Sequence, residues 1–70
     1  MCRSIKTLRR PEPAVTHEEL QAAALQFVRK ISGFHKPSKA NQPAFDQGVQ
    51  EIAAASRRLL EALGQSTAPQ

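Results

Sequence analysis

From Phe45 onward the large apolar residues recur at Phe45, Val49, Ile52, Leu59 and Leu63, and Ser56 fills the one gap, so the steps run 4, 3, 4, 3, 4. This follows the 3.6-residue period of an α-helix and matches no strand period, which commits this part of the chain to one amphipathic helix. Ala53 and Leu60 widen the stripe. Proline lacks an amide hydrogen and its φ is already set for a first helical turn. Pro43 therefore marks the start, with Asn41 or Gln42 as cap, and Gly64 marks the stop. A helix over 43–63 with so continuous an apolar face needs something to pack against.

The partner lies upstream. Thr16 and Glu19 make a T-x-x-E capping box, and Val15 and Leu20 occupy the two positions of a hydrophobic staple. Leu20, Ala24, Phe27 and Ile31 then step by 4, 3, 4, flanked by Ala23 and Val28, and Gly33 suits a left-handed C-terminal residue. A helix over 17–32 results. Pro11 and Pro13 bias the approach to it toward extended backbone. Two facing stripes on a short link predict an all-α, antiparallel two-helix hairpin. The alanine-rich runs QAAAL and IAAAS suit close approach of its helices. With Ile31 beside Phe45, Leu20 would fall beside Ser56 or Leu59, leaving Leu60 and Leu63 overhanging. An N-terminal arm, residues 1–15, is expected to cover that overhang with Ile5, Leu8 and Val15. Residues 1–64 read as one domain and 65–70 as a disordered tail. CRSIKTL alternates weakly and is too short to build a sheet alone.

Seventy residues allow one domain. A chain this short buries only about 60% of its surface, and two helices make a thin core. Dimerisation, into a four-helix arrangement, or another protein partner is the expected remedy. One cysteine excludes an internal disulfide, and no apolar run approaches the roughly 20 residues that span a bilayer. The expectation is a small cytoplasmic protein with no membrane partner.

The net charge of +4 is unevenly placed. Arg3, Lys6, Arg9 and Arg10 open the chain without an acid, and Arg29, Lys30, His35, Lys36 and Lys39 crowd the joint, again without one. Basic clusters of this kind are footprints of polyanion binding. Ser38, Asn41 and Gln42 add neutral donors near the start of the second helix, where free amides and the helix dipole favour an anion. The competing reading is a solvated hairpin turn whose Arg29 and Lys30 complement the first helix's dipole, and the residues favour it. With three Phe, no Trp and no Tyr, a base-stacking platform is poorly supported. Arg57 and Arg58 read as a solvated face, with Glu61 in reach of Arg57.

Cys2 is the candidate reactive group, since loss of Met1 would leave a thiol beside a free amine and Arg3. Against it stands a small side chain with no chemistry. Cys2, His17 and His35 lack the paired spacing of a zinc site, so no metal and no cofactor are expected. Nothing converges as an acid–base pair, no small-molecule substrate is evident, and the chain reads as a non-enzyme.

The strings MCRSIKTL, AAALQFVRKISG, KPSKAN, AFD and EIAAASRRLL resemble a small bacterial family catalogued as domain of unknown function number 2277, over Met1 to Leu63. The resemblance brings no activity, cofactor or partner with it. Arg9 and Arg10 stand where its members tend to carry uncharged or aromatic residues, and Pro43 where a helix-friendly residue is usual. The MCR opening matches at Cys2 and Arg3. The leading expectation is protein–protein interaction through the apolar face formed by Leu20, Ala24, Phe27, Ile31, Phe45, Val49, Ile52, Leu59 and Leu63. Polyanion or nucleic-acid binding at the joint and arm is the alternative, with redox or metal chemistry at Cys2 a weaker third.

Overall fold

The computed structural model describes residues 7–69. Two helices, α1 (His17–Ser32) and α2 (Gln42–Ala62), pack against each other as an all-α hairpin. Among the described residues the only strand-like pairing is one parallel bridge between Val15 and Thr67.

Each helix boundary has a local cause. Thr16 Oγ1 accepts the Glu19 amide at 3.1 Å, and Glu19 Oε1 accepts the Thr16 amide at 2.9 Å, which closes the capping box. The staple residues beside it are the most completely buried large side chains, Val15 at 0% and Leu20 at 1% exposure. α1 ends where Gly33 turns left-handed at φ 78° and donates its amide to the Arg29 carbonyl at 3.0 Å. α2 begins one residue earlier than the proline rule implied, with Pro43 in its first turn and Asn41 at the cap making no side-chain cap bond.

The far end of α2 is where the chain departs from expectation. Gly64, at φ 90°, donates to the Glu61 carbonyl at 3.0 Å, and Gln65 donates to Leu60 at 2.8 Å. This paired pattern is a Schellman motif, and it turns the chain back over the helix end. The segment expected to fray is therefore docked. Gln65 is buried, Val15 donates to Ser66 at 3.0 Å, and Ala68 donates to Val15 at 2.8 Å. The reason is reciprocal: buried Val15 has an amide and a carbonyl that need partners, and the returning tail supplies both. The approach to α1 also differs from the extended path read from its prolines. Residues 11–13 bend, with a cis Glu12–Pro13 bond, around the Arg10 guanidinium.

The core is Val15, Leu20, Ala24 and Val28 against Phe45, Val49 and Ala53, with Leu8, Leu25, Ile52 and Leu60 packed on it. In both helices the buried line steps by four, the ridge that interdigitates when helices cross at an angle. The 4-and-3 spacing of the apolar residues gives a broader stripe than this single buried line. Hence Val28 takes the place expected for Phe27 and Ile31, and Ala53 outranks Ile52. The molecule measures 39 × 29 × 16 Å, and its two helices lie side by side in one layer.

Candidate functional site

The predicted interaction face divides in two. Leu20, Ala24, Phe45 and Val49 are core, and Ile52 is half-buried. Phe27, Ile31, Leu59 and Leu63 are exposed, Ile31 at 64% and Leu59 at 59%. Phe27 and Ile31 lie three residues past the core positions Ala24 and Val28. Ile52 lies three past Val49, and Leu63 three past half-buried Leu60. All four therefore sit on the same rotational flank of their own helix, as does Leu59, one residue before Leu60. In an antiparallel pair, equal rotation on both helices reaches the same broad side. The opposite flank confirms the assignment: Gln21 and Leu25 of α1 line a common groove with Asp46 and Gln50 of α2. One broad side of the hairpin thus carries Phe27, Ile31, Ile52, Leu59 and Leu63, and among the described residues no second layer covers it.

The basic joint is built differently. Arg29, Lys30, His35, Lys36, Ser38, Lys39 and Asn41 are all exposed. Arg29 Nε donates to the His35 carbonyl at 3.1 Å, which ties the joint to the end of α1. The Ser38 carbonyl accepts the Asn41 amide at 3.0 Å in the turn that leads into α2. Among the described residues the ion pairs are Arg10–Glu19 and Arg57–Glu61, so none of the joint's cations has an acidic partner there.

A third cluster has no counterpart in the sequence reading. Arg10 forks onto Glu19, with Nη1 on Oε2 at 2.9 Å and Nη2 on Oε1 at 2.7 Å. Its Nε donates to the Pro13 carbonyl at 2.7 Å, Nη2 also reaches Ala14 at 3.0 Å, and its amide donates to Gln65 Oε1 at 2.6 Å. The guanidinium hydrogen bond, and after it the Thr16 amide, hold the Glu19 carboxyl at about 2, below its ordinary 4.5. The same bond raises the Arg10 pKa. Arg57 is likewise committed: Nη1 donates to Thr67 Oγ1 at 3.0 Å and lies 3.8 Å from Glu61 Oε2, so it is a tether for the tail rather than a solvated residue. Sequence spacing shows the Arg57–Glu61 step, but nothing local announces that Arg10 reaches Glu19 or Gln65.

Cys2, with Arg3, Ile5 and Lys6, lies outside the described residues. Among those described, no three His, Cys, Asp or Glu side chains gather as a metal-holding group, and no helix is long and apolar enough to cross a membrane.

The model of one family, DUF2277, described as an uncharacterized conserved protein, matches residues 1–70. No curated protein and no solved structure matches the chain.

Proposed function

The chain belongs to the DUF2277 family, and from that premise we propose that it is an interaction module whose open apolar side packs on a second copy of itself. The observation that carries this reading is the two-helix layer with five large apolar side chains, four of them exposed, on one broad side that no other described residue covers. Domains ordinarily bury such a side under a second layer. Ala55, outward of Ile52 on the same flank, is small enough to let a second backbone approach.

Sedimentation equilibrium tests it. The expected species has twice the 7.7 kDa chain mass. Ile31→Glu combined with Leu59→Glu, both at exposed positions, should give a monomer with unchanged helical circular dichroism. A wild-type monomer at high concentration would sink the reading.

A second reading, polyanion binding at the joint, is supported by the exposed cations without acidic partners there. Fluorescence anisotropy with short nucleic acids at two salt concentrations checks it. Binding should weaken with salt by counterion release, and replacing Lys36 and Lys39 by Gln should reduce the slope. No binding at low salt leaves those residues a solubility role.

A further inference from the structure

The other broad side of the hairpin holds a groove of about 450 Å³ between the start of α1 and the second half of α2. Leu20, Ala53 and Ala54 give it an apolar floor, and its polar walls are His17, Gln21, Gln50, Arg57 and Arg58. No acid lines it. We propose that this groove binds a small organic oxyanion, a carboxylate or phosphate carried on a compact apolar body.

The Arg57 guanidinium is the first reason. Its Nη1 is engaged by Thr67, while Nη2 is enclosed and has no acceptor among the described residues. A buried charged donor without an acceptor is costly, and a ligand oxygen relieves it once the wall over Nη2 moves aside to admit it. Thr67 and Glu61 hold the fork in place, so little side-chain freedom is lost when a planar oxyanion meets it. Arg58 supplies a second guanidinium, exposed and outside every ion pair among the described residues.

The other walls complete the set. His17 is the first residue of α1, at the positive end of the helix dipole. Its Nε2 lies 3.2 Å from Gln21 Nε2, so the ring accepts from the amide and Gln21 is held in the groove wall. Gln50 adds an amide donor from the opposite helix. The apolar floor sets the class: a bare ion would leave Leu20 and Ala53 uncontacted, and a body of aromatic or branched aliphatic size covers them. Because the groove faces away from the open apolar side, a ligand in it does not occlude that side.

Two-dimensional NMR titration with benzoate, phenyl phosphate, inorganic phosphate and benzyl alcohol tests the assignment. The expected result is saturable shifts of the Gln21 and Gln50 side-chain amides and of Arg57 Nε–H with benzoate or phenyl phosphate. Inorganic phosphate should bind more weakly, and benzyl alcohol should produce no such shifts. Response to benzoate alone assigns carboxylates, and response to phenyl phosphate alone assigns phosphates. Arg58→Gln, which breaks no side-chain hydrogen bond or ion pair among the described residues, should weaken binding about tenfold through one lost charge-assisted bond. Arg57→Lys should weaken it further while keeping the charge. Shifts that never saturate, that benzyl alcohol reproduces, or that persist unchanged in Arg58→Gln overturn the proposal.

Discussion

The two ends of the hairpin both carry arginine or lysine near a helix terminus, and they use it in opposite ways. At the end where α1 starts and α2 stops, Arg10 is bonded to Glu19, Pro13, Ala14 and Gln65, and Arg57 to Thr67. At the joint, Lys30, Lys36 and Lys39 stand exposed with no acidic partner among the described residues. The difference is one of chain traffic. Three segments meet at the first end, the arm, the start of α1 and the tail, so each brings carbonyls and carboxylates to the others' donors. Only a single turn passes through the joint. A cation becomes structural where a second stretch of chain returns to meet it, and stays available to solvent or a partner where none does.

The sharpest break of that contrast is in the core. Leu20→Ala, at the laced end, should cost about 2–5 kcal/mol, whereas Phe34→Ala, on the exposed joint, should stay within about 0.5 kcal/mol. Urea unfolding of both variants measures the gap, and equal costs would abolish the distinction. Truncation after Gly64 comes next. It removes the partners of the Val15 amide and carbonyl and the Gln65 acceptor of Arg10, and should cost about 1–3 kcal/mol. A frayed tail would cost nothing.

The caps give a smaller and cleaner contrast. Thr16→Ala should cost about 1 kcal/mol, or about 4–8 °C in Tm for a domain of this size, because the Thr16 hydroxyl caps α1. Asn41→Ala should leave thermal unfolding nearly unchanged, since Asn41 makes no side-chain cap bond. Acid should act at the laced end. Glu19 is held at about 2, below its unfolded value, so its contribution is complete above pH ~4.3 and is lost as pH falls toward 2. Amide exchange at Arg10 and Val15 should quicken over that window, and Glu19→Gln should remove the dependence. Exchange that is flat with pH in the wild type would detach Glu19 from the arm.

Much of this was legible because it is local. T-x-x-E, Val15 with Leu20, Pro43 and the two glycines each act within one helical turn, so composition and spacing reveal them. Which residues of each stripe are core and which stay exposed, as Phe27 and Ile31 do, is not legible, because periodicity gives the width of an apolar stripe but not the line along which a partner packs on it. Gln65 and Thr67 were passed over because a polar residue after a helix stop carries no sign of the buried backbone group it will meet. Arg10 was missed for the same reason: its main partners are nine residues away at Glu19 and 55 away at Gln65.

By itself, then, the sequence determined two helices, their ends and their hairpin pairing, because hydrogen bonding and capping within a helix span four residues. Tertiary structure alone decided which half of each apolar stripe is buried, that the tail docks, and that among the described residues one broad side stays open while the other holds a basic groove. Those outcomes depend on a crossing line and on segments meeting from opposite ends of the chain, and no local spacing encodes either.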